Sequence, residues 1–473
     1  MRNSRIWRIE GILTTVTPLH IGDGDITKHD KLKDIEITSV VKDIDDRAYI
    51  PGTSLKGNIR SWLKRESCVP CNVLEELFGS EDSQKEDALG GKAEFWNAYA
   101  LPEQSISSNS PYWEQKRLTD VMVSVSIDRS KRTAIKEKLF HYEFVPPGVK
   151  FLLTIIIPYA GEDEVIPLIY ALEHGFSDDD PIIIGASSSN DWGKLNWKLN
   201  CISKIDPEDV RKWICDNSAD KACDFVPLQE DEIETLLNKA NELKINSSSK
   251  TEKINIKLKF KGPFLVNDPS QVEKNETDKT ENKGPDHIPR RNYENKVVLP
   301  ASSFRGAFRS QAERIIRTLG GYACDPSDPC NPKEKLCLAC QIFGATGQKS
   351  LISFTDFVQC NEEENIRQEF VAIDRFTGGG AKSFKFSADA IIDPELEGTM
   401  AISEKLKCWE IGLLALTLRD LQDGDITFGF GSSKGYGKCE AETNFFVKEN
   451  EERINKCVKE FREFVQKKGE GNV

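Results

Sequence analysis

The sequence predicts an α+β protein built as two tandem copies of one ferredoxin-like (RRM-like, split βαβ) domain, in the order strand–helix–strand–strand–helix–strand. Three paired motifs carry that expectation. Pro51-Gly52-Thr53-Ser54-Leu55-Lys56-Gly57-Asn58-Ile59-Arg60 is answered by Pro300-Ala301-Ser302-Ser303-Phe304-Arg305-Gly306-Ala307-Phe308-Arg309. The two share proline, a hydroxyl pair, a cation, a glycine and a final arginine, about 250 residues apart, which marks an internal repeat. Ile127-Asp128-Arg129 is answered by Ile373-Asp374-Arg375, and a loop ending in Gly193-Lys194 by the run from Phe428 to Lys438. The separation shrinks slightly from the first pair to the last, as small loop indels between two copies would make it.

Each element follows in order. Repeat one, residues 1–203, opens with a strand pattern at Ile6–Val16, a polar loop from Gly22 to Arg47, and a helix from Ser54. Strand patterns at Val121–Ile127 and Val149–Ile157 and an apolar helix at Val165–His174 come next. Residues 204–253 read as a helical connector, with apolar spacing at Ile233–Leu243 and a flexible seam at Ser247-Ser248-Ser249. Repeat two, residues 254–448, runs through a strand at Ile254–Phe260, a polar loop to Asn295 and a helix at Ser303–Leu319. Strands around Leu351–Phe357 and Gln368–Ile373 and a helix at Cys408–Leu421 complete it. Residues 449–473 are a helical tail.

A chain of 473 residues is too long for a single core. It has no apolar run long enough for a membrane span, and Met1–Glu10 carries no apolar signal region, which reads as a cytoplasmic protein without a membrane partner. The 13 cysteines are an odd number and are scattered apart from one cluster, which suits a reducing compartment and a metal site better than a disulfide framework. The net charge of −13 argues against nucleic acid only on average, since the repeated motifs are locally basic.

Thr53 and Ser302 or Ser303 suit N-caps for the two helices. Lys56, Arg60 and Lys64 form one basic stripe, and Arg305 and Arg309 repeat it. Gly57 and Gly306, inside the first turns, cost helix propensity and imply that another backbone approaches there. Helix start, cations and missing Cβ together make a phosphate site. The loop from Gly429 to Gly437, with Lys434, Gly435 and Lys438, exposes backbone N–H groups to a phosphate and lacks the spacing of an ATP-binding loop. Cys324, Cys330, Cys337 and Cys340, punctuated by Pro326, Pro329 and Pro332, suit tetrahedral Zn2+, with the metal folding a segment that has no core of its own. Cys68 and Cys71 lack a second pair and read as a non-metal remnant.

Together with Leu19-His20-Ile21-Gly22, these motifs resemble the RAMP superfamily, the ferredoxin-like RNA-binding proteins of CRISPR systems. More narrowly they resemble the Cas-seven type backbone subunit of type III effectors, here two units fused as in type III-D-like complexes. The resemblance implies two RAMP domains with inserted hairpins and one zinc-binding insertion. It also implies partners: guide crRNA, target RNA and the other subunits of a multisubunit complex. Guide contacts would fall on Lys56, Gly57, Arg60, Arg129, Arg305, Gly306, Arg309, Arg375, Lys434, Gly435 and Lys438. Repeat one departs at its glycine loop, which is eroded to Gly185-Ala186-Ser187-Ser188-Ser189-Asn190-Asp191-Trp192-Gly193.

By the same resemblance Asp286, in Asp286-His287-Ile288-Pro289-Arg290-Arg291, is a catalytic loop aspartate that cleaves guide-paired RNA. Aspartates are poor bases at neutral pH, and a divalent ion, Mg2+ or Mn2+, would activate the ribose 2′-hydroxyl and shield charge. Asp286 paired simply to Arg290 is the bland alternative. Repeat one offers Glu36 or Asp34, or a dead site. Two other readings stand beside this one: a purely structural crRNA scaffold, and a metal-independent crRNA-processing nuclease using His20 or His287.

Overall fold

The computed structural model describes residues 5–469 except 29–35, 82–87, 103, 105, 107–109, 130, 132, 178–180, 216–222, 245–250, 271–283, 326–327, 332 and 334. Asp34, the seam at Ser247–Ser249, Pro326 and Pro332 therefore lie outside the described residues.

The first sheet is centred on Arg5–Thr15, flanked antiparallel by Lys150–Ala160 and Leu195–Ile205. Ala98–Ala100 and then Tyr49–Ile50 follow beyond Lys150–Ala160. The second sheet repeats the arrangement: Glu252–Phe260 lies between Glu395–Ile402 and Cys439–Thr443, with Phe357–Gln359 and then Val298–Leu299 on the outer side. This is the split βαβ order twice over. Along Arg5–Thr15 burial alternates residue by residue, so Trp7, Ile9 and Leu13 enter the core while polar neighbours face out.

Two helices cover each sheet, Gly52–Glu66 with Glu162–Gly175 and Ala301–Thr318 with Cys408–Gln422. Trp62 and Tyr170 meet at 5.4 Å between the first pair. In the second, Phe304 lies against Phe308, Phe354, Phe357 and Phe428.

Several elements differ from expectation. The polar stretch after Gly22 contains the strands Gly22–Lys28 and Glu36–Val40, which pair with each other, and the second also pairs with a strand far along the chain. They join Asp120–Asp128 and Thr133–Phe144, the first arm, in a four-stranded sheet. The second arm is Asn365–Ile373 with Gly380–Ile392. The expected strand at Leu351–Phe357 is two short strands, Ile352–Phe354 and Phe357–Gln359. The connector contains a helix, Glu230–Lys244, which seats Leu236 and Ala240 in the first core.

The C-terminal helix Glu451–Gly469 packs on Cys408–Gln422, and a Cys408–Cys457 disulfide joins them with Cα atoms 4.7 Å apart. It is one disulfide beside eleven free cysteines, not a disulfide framework. The helices approach so closely that a Cβ at Gly412 would lie 2.2 Å from the Cys457 carbonyl oxygen.

Candidate RNA-binding and metal sites

The two basic helices begin alike, though not with the expected caps. Pro51 and Pro300 occupy the N-cap positions, and no side chain caps the first turn. A neighbouring loop supplies the acceptor instead: Asn97 Oδ1 receives Gly52 N at 3.0 Å, and Asp356 Oδ1 receives Ala301 N at 2.7 Å. Thr53, Ser302 and Ser303 are thereby left exposed at the positive end of each helix. Among the described residues nothing approaches Gly57 or Gly306, since an added Cβ would meet no atom within 4 Å. The backbone there is bare toward open space.

The stripes are not equivalent. In repeat one Lys56 Nζ donates to the Ala93 carbonyl at 3.0 Å, and burial followed by the charge of Arg60 holds its pKa below the usual lysine value. Lys64 pairs with Glu81 at 2.6 Å. In repeat two the cations turn inward. Arg305 donates to the Phe343 carbonyl, its buried Nε has no partner, and burial holds its pKa down to about 10. Arg309 donates from Nε to Glu313 at 2.8 Å and from Nη2 to the Cys340 sulfur at 3.1 Å.

Both glycine loops follow one backbone path. In the second, Gly429, Gly431, Gly435 and Gly437 have φ of 79°, 72°, 82° and 73°. In the first, Gly185 and Gly193 occupy the outer places at 85° each, and Ser187 and Asp191 adopt the inner left-handed conformations at 61° and 66°. A Cβ at Gly193 or Gly437 would lie 1.9 Å from a carbonyl oxygen, whereas Gly435 faces open space. The erosion is thus in composition and not in shape. Lys434 is exposed, its ammonium 4.9 Å from the Phe430 ring, 5.4 Å from Phe386 and 5.6 Å from Phe370. Lys438 is exposed beside it.

Asp286 sits against the second arm. Its Oδ2 receives Ser387 N at 2.7 Å and Ser387 Oγ at 3.3 Å, and its own N–H donates to the Ser387 carbonyl at 3.0 Å. The carboxylate is exposed, and its partner is Ser387 rather than Arg290. His287 packs on Phe430 at 4.9 Å and Phe386 at 5.6 Å, with Nδ1 buried and unpartnered. Burial keeps its pKa below the ordinary histidine value, with Lys434 adding to the effect and Asp286 opposing it. The fold thus brings Asp286, His287 and Lys434 around one aromatic cluster that the sequence left as separate motifs.

Repeat one has no carboxylate in that place. His287 pairs in parallel with Ala388, as Thr38 does with Tyr142. This register sets Ile37, buried, opposite His141, where repeat two has Asp286 and Ser387. Glu36 is exposed one residue earlier. His20 is buried, with Nδ1 2.6 Å from the Glu143 carbonyl oxygen.

Of the two hairpin arginines, Arg375 is exposed on the second arm. Arg129, on the first, reaches across to repeat two, with Nε 3.1 Å from Glu313 Oε2.

Cys324, Cys330, Cys337 and Cys340 bring their sulfurs within 4.8 Å of one another, three of them buried. Hydrogen bonding from Cys340 draws the Cys337 pKa below the ordinary thiol value, with burial opposing it. Cys337 caps the short helix Leu338–Phe343, its sulfur accepting the Cys340 N–H at 3.4 Å. Four converging sulfurs of this kind fit a structural zinc. Among the described residues no comparable group includes Cys68 or Cys71, and none surrounds Asp286. No described helix is long and apolar enough to cross a membrane.

Residues 12–196 and 257–440 each match the RAMP superfamily family model. Over 216 residues the chain is 30% identical to the "CRISPR system Cms endoribonuclease Csm3" of Methanocaldococcus jannaschii, covering 41% of this chain and 81% of that relative.

Proposed function

Because this chain belongs to the RAMP superfamily, matched once in each half, we propose that it supplies two adjacent backbone units of a type III CRISPR ribonucleoprotein. It binds guide crRNA on its helix starts and glycine loops and cleaves the paired target RNA with Asp286. The endoribonuclease name of the Csm3 relative supports RNA cleavage in general. Exposed hydroxyls at two helix starts and two bare glycines beside them support phosphate binding. Arg60, Arg375, Lys434 and Lys438 are the cations best placed to meet RNA. Arg129, Arg305 and Arg309 already hold protein groups, so their part in binding is through the shape of the surface.

The observation that carries the catalytic reading is the pinned carboxylate: Ser387 fixes Oδ2 of Asp286, which leaves Oδ1 without a protein partner among the described residues. Such a group can take the proton of a ribose 2′-hydroxyl as its oxygen attacks the adjacent phosphorus, expelling the 5′-oxygen of the next nucleotide. A divalent ion, Mg2+ or Mn2+, would supply charge shielding at the phosphate. Lys434 would add fixed positive charge nearby, and Ser387 would hold the carboxylate in register. The four cysteines would hold one structural Zn2+.

The scaffold reading is favoured for repeat one, where Ile37 stands in the catalytic register. Precursor processing by His20 has less support, because that ring is buried against a carbonyl. The test of class is the RNA and protein recovered with the full chain from its native host. Short RNAs sharing one repeat-derived 5′ tag, with other effector subunits, are expected; recovery of neither overturns the reading.

A further inference from the structure

Glu313 is fully buried and gathers three guanidinium groups. Arg309 meets it at 2.8 Å, Arg317 at 3.6 Å and Arg129 of the first arm at 3.1 Å. A buried carboxylate persists only when its charge is paired on several sides, and losing one partner is costly. The first two arginines also hold the cysteine segment. Arg309 reaches the Cys340 sulfur at 3.1 Å and the Gly344 carbonyl at 3.2 Å, and Arg317 Nη2 donates to the Cys324 carbonyl at 3.0 Å. The third crosses to the other repeat, where the Arg129 carbonyl also accepts Ser310 Oγ at 3.3 Å.

The duplication supplies an internal control. Aligning Lys56-Gly57 with Arg305-Gly306 and Arg60 with Arg309 puts Lys64 where Glu313 stands. Lys64 is exposed and pairs locally with Glu81. Among the described residues, repeat one thus has no carboxylate at the place of Glu313 and no four-cysteine group, whereas repeat two has both.

We propose that the four-cysteine segment, in its metal-bound form, sets the joint between the two repeats: it fixes Arg309 and Arg317 on Glu313, and Glu313 so held receives Arg129 of the first arm. This rests on the zinc reading, and it gives that site a role beyond folding its own loop. The metal-bound cluster is a rigid anionic anchor for Arg309, and releasing it frees that guanidinium and loosens the hub. Arg129 is a positioning residue in this account.

The test measures amide exchange of the first arm in the full, RNA-free chain, with zinc content determined on the same samples. Chelation, or Cys337→Ser, should speed exchange across residues 120–144 by about tenfold. Arg309→Ala, which retains all four cysteines, should do the same with zinc retained. Arg129→Ala should speed arm exchange and make later chelation nearly without effect on the arm, as coupled members of one network require. Zinc stripped with the arm still protected, or an arm indifferent to Arg129→Ala, overturns the proposal. Purified chain holding no zinc overturns the zinc reading itself, a failure seen in the metal assay and not in the exchange.

Discussion

Asp286 and Ser387 grip one another through both main chain and side chain, with Ser387 N 2.7 Å from the carboxylate and Asp286 N 3.0 Å from the Ser387 carbonyl. The pairing ties the loop before the second basic helix to the second arm. It orients a carboxylate without burying it, which a group that must meet a large substrate requires. In repeat one the same register holds Ile37 and His141, so the two units share a frame and differ in chemistry.

Replacing all four cysteines by serine should abolish zinc binding, with about one zinc per chain in the wild type by metal analysis. Repeat two should then unfold at lower denaturant than repeat one, because binding energy at such a site is folding energy. Unchanged zinc content in the quadruple variant would dismiss the site.

Gly306→Ala and Gly57→Ala should separate stability from binding. Each lies within a helix, and an added Cβ meets no protein atom, so helix propensity should raise stability by about 0.5–1 kcal/mol. RNA affinity should fall nevertheless, since the methyl would stand where a phosphate backbone approaches. Tighter or unchanged binding would mean that these glycines face only water. Gly437→Ala, whose Cβ would lie 1.9 Å from the Phe428 oxygen at φ 73°, should instead cost about 1–3 kcal/mol in a melt.

Arg60→Ala should weaken RNA binding with little regard to sequence and reduce the salt slope by about one. Arg305→Ala should chiefly lower thermal stability, because that side chain is occupied inside the protein. Equal salt-slope losses in both would show that Arg305 turns outward when RNA arrives.

His287 supplies a pH dependence. Its pKa is depressed in the fold, first by burial, so the unfolded chain binds the proton more readily. Its contribution to stability is complete above the ordinary histidine range of about 6.5 and is lost as pH falls through it. His287→Phe should remove part of the difference in urea midpoint between pH 7.5 and pH 5.5. An unaltered difference would place the acid sensitivity elsewhere.

The duplicated architecture was legible because both copies keep their punctuation: a proline before each helix, a glycine within it, and a glycine loop before the last strand. The arms were only half legible. Val121–Ile127 alternates well enough to read as a strand, but its hairpin partner Thr133–Phe144 and the strands near Gly22 are rich in polar residues, and Glu36–Val40 joins Thr133–Phe144 at long range, which local pattern does not encode. The stripe at Arg305 and Arg309 reads as exposed on a helical wheel. Its inward turn depends on Phe343, Glu313 and Cys340, which only the packed cysteine segment brings near. Of the proposed catalytic grouping, Asp286 and His287 were legible as separate candidates. Ser387 carries no signal by itself, though its place opposite a loop aspartate could have been sought on the paired arm.

Cleavage of a guide-paired target by the assembled complex tests the central claim most directly. Wild-type complex should cut at the nucleotide facing repeat two, leaving a 2′,3′-cyclic phosphate and a 5′-hydroxyl. A single 2′-deoxyribose at that nucleotide should prevent the cut, and EDTA should stop it if a divalent ion carries the charge. Asp286→Asn should abolish that cut while guide and target binding remain within about twofold, because the carboxylate acts in the transition state and affinity comes from phosphate contacts and base pairing. Glu36→Gln and Asp34→Asn should leave it intact. Normal cutting by Asp286→Asn, or of the deoxy-substituted target, would contradict the account.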